Sequence, residues 1–178
     1  MEKPKYIVGV DPDVNKSGVA VLETRSGTFE IIQALNIIDF ISLVGGEMLS
    51  RAIKNGGTSD VVFVIEDSDN TTNWHLPPGT SPRAAAAIGH GAGLCHATQR
   101  HLWEIAKSVG FQVILHSPLK KSWMGRDGKI TQEEITQFMP GLPKKLNQEC
   151  RDAALLAWNY AGLPIHIPPG FYAAMRKK

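Results

Sequence analysis

The chain has 178 residues, of which 43% are hydrophobic and 20% are charged, and it carries a net charge of +2 at neutral pH. This length and composition fit one ordinary globular domain and exclude an intrinsically disordered chain. No apolar run reaches the roughly 18 residues of a membrane span, so no membrane partner is expected. Residues 1–5 lead into a strand pattern without a signal-peptide core, and the chain has two cysteines, so a reducing cytoplasm is the expected compartment.

The first pattern along the chain is a strand that ends in a carboxylate. Apolar residues run almost without interruption from Tyr6 to Val10, which predicts a central strand buried on both faces. Asp11 follows at its carboxyl end. A carboxylate there is costly to ionise unless it is paired or holds a metal, although aspartate also commonly shapes a turn. The pattern at Asp11 leaves both interpretations open.

The next elements predict an antiparallel meander followed by a helix. Strands are expected at 18–24 and 28–34 with a turn between them, so that three strands pair in sequence. Asn36 is suited to cap a helix that continues to about residue 53. The pair Gly45-Gly46 interrupts this helix and predicts a kink or a close approach to a neighbour.

A second buried strand, 60–65, also ends in a carboxylate, Glu66. The polar loop 68–82 is long for a compact domain, which favours a functional segment. Ser81 is suited to cap the long helix that follows, residues 84–109, whose first half consists mostly of alanine and glycine. Small residues are useful in a helix where another backbone comes close, so this half is predicted to lie at an interface.

The last third of the chain is basic and ends in an acidic helix. A fifth strand is expected at 111–115, then a basic loop at 117–129 and a short helix at about 130–139. A final helix from about 147 to 161 carries Glu149 and Asp152 on one face, because residues three apart are neighbours on a helix. The whole chain, 1–178, is predicted to be a single α/β domain with a five-stranded mixed sheet between helices, and 163–178 a basic C-terminal tail.

Asp11, Glu66, Glu149 and Asp152 are therefore expected at one edge of the sheet. Four carboxylates that converge repel one another unless cations lie between them. Two Mg²⁺ or Mn²⁺ ions would stabilise them, because hard cations prefer carboxylate oxygens. Two such ions about 4 Å apart can activate a water and stabilise the leaving oxygen of a phosphodiester.

The motifs together resemble the RuvC family of Holliday-junction resolvases, which have an RNase H-like fold. The resemblance rests on Val8-Gly9-Val10-Asp11, Val64-Ile65-Glu66, the small-residue segment 88–93 and Glu149-Cys-Arg-Asp152, and it extends from about residue 6 to 161. It implies the sheet order 3-2-1-4-5, a homodimer, and a metal-dependent nuclease that cuts four-way DNA junctions. It also implies that the four acids hold two metal ions.

The resemblance further implies the residues that bind DNA. Lys120, Lys121 and Lys129 correspond to the family's phosphate-binding basic segment, and Arg126 belongs to the same loop. Trp123 is a candidate for stacking on a base or a sugar. Bacterial members carry an aromatic residue shortly after the second acid, whereas the first aromatic here is Trp74, which is a candidate for that stacking role, the alternative being that it simply packs. The third acid also differs, since Glu149 stands where bacterial members usually have aspartate.

Three alternatives remain at this stage. A related nuclease could cut flaps or RNA–DNA hybrids, and a non-catalytic protein could bind junctions without cutting them. An actin-like kinase module also opens with strand, aspartate, turn and strand. However, the chain is short for two lobes and has no glycine-rich phosphate loop, so no nucleotide cofactor is expected.

Overall fold

The structure is a computed structural model that describes residues 3–68, 76 and 78–175. One five-stranded sheet, in the order β3-β2-β1-β4-β5, forms its centre. The strands are β1 Tyr6–Asp11, β2 Ser17–Glu23, β3 Thr28–Leu35, β4 Val61–Glu66 and β5 Gln112–His116. The first three pair antiparallel, whereas β4 is parallel to both β1 and β5. The predicted mixed sheet and its strand order are therefore confirmed.

Helices cover both faces of this sheet. They are α1 Ile37–Ser42, α2 Leu49–Asn55, α3 Pro82–Ser108, α4 Gln132–Ile135, α5 Gln148–Tyr160 and α6 Phe171–Met175. One face is buried by side chains such as Phe40, Met48 and Leu102, which come from the segment 37–55 and from α3. The other face is buried by α5 through Ala153 and Leu156. Within the described ranges, no helix combines the length and the apolar character that a membrane crossing requires.

The predicted helix starts are confirmed by their capping contacts. The side chain of Asn36 accepts hydrogen bonds from the backbone N–H groups of Ile38 and Asp39 at the start of α1. Ser81 caps α3 in the same way, and Asn147 caps α5. These bonds satisfy N–H groups that have no partner inside the helix.

The predicted interruption at Gly45-Gly46 is a π-helical turn, Leu43–Met48, between α1 and α2. Phe40, Val44, Met48 and Ala52 are all fully buried, although they recur every four residues. In an α-helix, four residues rotate about 40° more than one full turn, so side chains at this spacing would turn progressively away from the core. The π-helical turn contains more residues per turn, which reduces this rotation. The predicted close approach is wrong, because a β-carbon on either glycine would meet nothing within 4 Å.

Two predictions near the C-terminus need correction. The helix expected at 130–139 is regular only over Gln132–Ile135, because the N–H groups of Gln137 and Phe138 then bond to carbonyls three residues back. Such bonds tighten the chain and end the α-helix. The segment called a basic tail includes the short helix α6, which the sequence pattern did not indicate.

Candidate active site

An acidic and basic cleft lies at the carboxyl ends of β1 and β4. Asp11 and Glu66 end these two parallel strands, whose preceding residues, Val10 and Ile65, are register partners. Asp152 from α5 lies on the same side, and the cleft has a volume of about 60 Å³. The basic wall of the cleft contains Lys120, Lys121, Trp123 and Lys129. Three of the four predicted acids thus line the same cleft as four of the five DNA-binding residues predicted in the basic loop.

Two glycines allow α5 to lie directly on the sheet. A β-carbon on Gly9 in β1 would overlap the backbone carbonyl oxygen of Ala153, and one on Gly18 in β2 would overlap that of Glu149. Both glycines are buried in the sheet. The first two turns of α5 are therefore placed by backbone contact with β1 and β2.

This contact places Glu149 beside Asp11 but outside the cleft itself. Gly18 in β2 is the cross-strand partner of Asp11 in β1. Because the start of α5 contacts Gly18, it lies over β2 beside Asp11. The charge of Glu149 contributes to the pKa of Asp11, and its effect is smaller than those of Glu66 and Asp152. Glu149 therefore belongs to the acidic cluster at its edge.

Burial and mutual repulsion disfavour ionisation of the acids on the sheet. Burial raises the pKa of Asp11 well above its usual value, and the charges of Glu66 and Asp152 raise it further. Burial also raises the pKa of Glu66, again with repulsion from Asp152. Lys129 opposes both shifts. The cluster is thus an environment that a cation would stabilise.

Lys129 reaches into this cluster and forms an ion pair with Asp152. Its Nζ lies 3.0 Å from Asp152 Oδ2. Burial alone would lower the pKa of Lys129, but the bond to Asp152 and the charges of Asp11 and Glu149 raise it. The other oxygen, Asp152 Oδ1, accepts a hydrogen bond of 2.8 Å from Gln148 Nε2. Gln148 in turn accepts one from Arg151, so a short polar chain orients Asp152.

A buried carboxylate holds the basic loop in place. Glu134 in α4 is fully buried and accepts hydrogen bonds from the backbone N–H groups of Met124 and Thr131 and from the hydroxyl of Thr131. The N–H of Gly125 also donates to the carbonyl of Lys129 at 3.0 Å. These bonds join Met124 and Gly125, at one end of the turn, to the residues around Lys129 at its other end, so the position of Lys129 is fixed.

The remaining predicted DNA-binding residues differ in their surroundings. Lys120 and Lys121 are exposed at the cleft, whereas Arg126 is 96% exposed, pairs with the adjacent Asp127 and lies outside the cleft lining. Trp123 is half-buried and its ring stacks on Phe138 with 6.0 Å between ring centroids. One face of Trp123 is thus engaged within the protein. Trp74 lies outside the described residues.

Several residues of the site had not been predicted from the sequence. Gln148 and Arg151 orient Asp152, and they lie four and one positions before it on α5. Glu134 had a visible signal, since Thr131-x-x-Glu134 is a capping-box pattern. That pattern predicts a helix start, but it does not reveal that the same carboxylate also binds the N–H of Met124.

The donor set of the cleft fits hard divalent cations. Carboxylate oxygens are the ligands that Mg²⁺ and Mn²⁺ prefer, and a cationic side chain is already drawn into the cluster. Among the described residues, no three His, Cys, Asp or Glu side chains are gathered as ligands of a single ion.

Cys150, on α5 beside Glu149, is buried, and burial raises the pKa of its thiol to about 11, which makes it a poor nucleophile.

Comparison with known proteins gives the fold a name. The chain has a RuvC-like fold of the RNase H-like class. It superposes on Thermus thermophilus RuvC in complex with a Holliday junction substrate with a TM-score of 0.51 and 13% identity, over 96% of this chain and 95% of that chain. A second structure of Thermus thermophilus RuvC gives a TM-score of 0.50 and 14% identity, over 96% of each chain. No family model and no curated protein sequence matches.

Proposed function

We propose that this protein is a divalent-metal-dependent endonuclease that cuts branched DNA, with the four-way junction as its substrate. The observation that carries the proposal is the meeting of Asp11, Glu66 and Asp152 with a lysine-bearing loop in one cleft. Acids that repel one another and lysines that attract phosphate are the two components that metal-assisted phosphodiester hydrolysis requires.

In this proposal the acids hold two Mg²⁺ or Mn²⁺ ions. Asp11 and Glu66 from the sheet, together with Asp152 and Glu149 from α5, would hold these ions. The ions supply an activated water and charge stabilisation for the leaving oxygen, which would give a 5′-phosphate and a 3′-hydroxyl. Among the described residues these acids are not gathered as ligands of a single ion, so their side chains would have to rearrange to hold metal.

The basic wall supports a DNA substrate. Lys120 and Lys121 are exposed beside the acids, and we expect each to contact a phosphate near the cleavage site. Arg126 extends this surface away from the cleft, and Trp74 and Trp123 are proposed to contact bases or sugars. The choice of a four-way junction follows the similar fold of Thermus thermophilus RuvC in complex with a Holliday junction substrate.

We also propose that the enzyme acts as a homodimer, which would place two clefts on opposite arms of a junction. The first half of α3 supports this assembly. Among the described residues nothing lies within 4 Å of a β-carbon added at Gly89, Gly91 or Gly93, and Ile88 and Leu94 are 47% and 40% exposed. A helix segment with small, exposed residues around its circumference allows a second backbone to approach closely.

The direct test is cleavage of an end-labelled four-way junction beside a matched linear duplex, a flap and an RNA–DNA hybrid, with Mg²⁺ or Mn²⁺. Asp11→Asn and Asp152→Asn serve as inactive controls. Paired nicks near the branch that both substitutions abolish would support the proposal.

Other outcomes separate the alternatives. Cutting restricted to the flap or the hybrid would contradict the assigned substrate but would still agree with a metal-dependent nuclease. Tight junction binding without any cutting, with either ion, would contradict catalysis and favour a junction-binding protein.

A further inference from the structure

Each carboxylate oxygen of Asp152 already has a partner within the protein. Oδ1 accepts the hydrogen bond from Gln148 Nε2 at 2.8 Å, and Oδ2 lies 3.0 Å from Lys129 Nζ. The Asp152 side chain is 18% exposed. A divalent ion that binds Asp152 from the cleft must therefore share or replace the contact that the Lys129 ammonium makes with Oδ2.

The backbone of Lys129 is fixed while its side chain has room to move. Its N–H donates to the carbonyl of Arg126 at 3.1 Å, and its carbonyl accepts from Gly125 at 3.0 Å. The next residue, Ile130, is buried in the core, and its carbonyl accepts from Arg151 Nε at 3.0 Å. The Lys129 side chain is 35% exposed, so it can leave Asp152 by rotation without opening the loop.

We propose that Lys129 is an internal cation that occupies a divalent-ion position on Asp152, and that metal loading displaces its ammonium toward the DNA backbone. The inference rests on the proposed function, from which it takes the metal. An incoming ion carries two charges and the departing ammonium one, so the exchange favours the ion in a cluster of carboxylates. The released ammonium stays beside Lys120 and Lys121, which line the same cleft.

The exchange makes metal and DNA bind cooperatively. A phosphate that attracts Lys129 removes the competitor from Asp152, and metal affinity then rises. By thermodynamic linkage, bound metal raises DNA affinity by the same factor. The metal-free protein would thus keep its acids neutralised, and it would bind ions firmly only when a phosphate backbone is present.

Mn²⁺ binding to the full-length chain without DNA tests the proposal, measured by isothermal titration calorimetry and by electron paramagnetic resonance of free Mn²⁺. Lys129→Met keeps the length of the side chain and removes its charge. We expect it to bind Mn²⁺ roughly three- to tenfold more tightly than the wild type, as befits a partly exposed ion pair. Lys129→Arg keeps the charge and should bind Mn²⁺ like the wild type.

Lys120→Met is the matched control, because Lys120 lines the same cleft without contacting Asp152 in an ion pair. Tighter binding by Lys129→Met alone supports the proposal. Equal gains in Mn²⁺ affinity in Lys129→Met and Lys120→Met, or no gain in Lys129→Met, overturn the proposal. Either result would still agree with a metal-dependent nuclease. No Mn²⁺ binding by any folded variant, with folding checked by circular dichroism, overturns the inference and contradicts the proposed metal function as well.

Discussion

The backbone carbonyl of Glu149 fills the space that a side chain on Gly18 would need. Gly18 is in turn the cross-strand partner of Asp11, so one backbone contact fixes the distance between an acid on the sheet and the acids on α5. The active-site geometry therefore depends on the absence of a side chain at Gly18.

Substitution of Gly18 by alanine should damage both the fold and the site. The added methyl group pushes α5 away from β2, at a cost of about 1–3 kcal/mol in the free energy of unfolding. Asp152 and Glu149 move with the helix, so junction cleavage should fall further than stability predicts. Urea unfolding and cleavage rates measure the two effects.

Gly46→Ala provides the control for this substitution. Among the described residues a β-carbon at Gly46 meets nothing within 4 Å, and alanine is a better helix former than glycine by about 1 kcal/mol or less, so the variant should be at least as stable as the wild type and should cleave at the same rate. Equal behaviour of the two variants would mean that α5 does not depend on the close contact at Gly18.

Replacement of Asp11 by asparagine should stabilise the metal-free protein at neutral pH while abolishing cleavage. Burial and the neighbouring acids raise the pKa of Asp11, so the folded chain holds its proton more tightly than the unfolded chain does. The stability of the wild type therefore falls as the pH rises through the interval between the usual value of 3.8 and the folded pKa. The asparagine side chain carries no charge and avoids this loss.

Thermal unfolding in a chelator across a pH series measures the effect. The stability gap between Asp11→Asn and the wild type should be widest near neutral pH and should close toward pH 3.8. A variant that is less stable than the wild type at neutral pH would show that Asp11 is not under repulsion. Cleavage should drop by roughly a hundredfold or more, because the ions lose a ligand.

Glu134→Gln should loosen the loop that presents Lys129. The NH2 group that replaces one carboxylate oxygen can only donate hydrogen bonds, so the side chain can no longer accept all the bonds from Met124 and Thr131. A buried donor left without a partner costs about 1–3 kcal/mol. We expect lower stability and weaker junction binding, measured by urea unfolding and by fluorescence anisotropy at fixed salt.

Glu133→Gln is the matched control for this change. Glu133 is the neighbouring residue, exposed on the same short helix, so its substitution should alter stability by no more than about 0.5 kcal/mol. If both variants bind the junction as the wild type does, the loop does not need its buried anchor in order to bind DNA.

Gly91→Leu should separate assembly from folding. Leucine is a better helix former than glycine by roughly 1 kcal/mol or less, and an added β-carbon has open space in the monomer. The monomer should therefore be at least as stable as the wild type, while a close helix pair could not form. Light scattering coupled to size-exclusion chromatography would then give half the wild-type mass, and an unchanged dimer mass would argue against an interface at this helix.

The sequence predicts the acids better than their partners. Asp11 and Glu66 follow continuous apolar runs, and parallel strands place their ends at one edge of a sheet, so local patterns were sufficient. The contact between Lys129 and Asp152 joins residues 23 positions apart through an irregular loop. Its geometry depends on Gly125, Gly128 and the buried Glu134, whose combined effect no periodic pattern encodes.

The helical segment 37–55 was likewise only partly predictable from local sequence patterns. The spacing of Phe40, Val44, Met48 and Ala52 is that of a helix, and the pair Gly45-Gly46 predicted a kink or a close approach, of which the close approach is absent among the described residues. A four-residue repeat is so close to the period of an α-helix that a short stretch of sequence does not distinguish the two. The structure resolves the difference with a wider turn, which single-sequence patterns rarely anticipate because such turns are rare.

This wider turn means that the segment 37–55 is an α-helix with one surplus residue. If Gly45 were deleted, the buried residues would recur at intervals of four, three and four, the spacing that an uninterrupted α-helix needs to keep one face in the core. The shortened chain should then fold with a continuous helix in place of the π-helical turn. The region is thus a place where the length of the chain can change while the sheet and the cleft stay as they are.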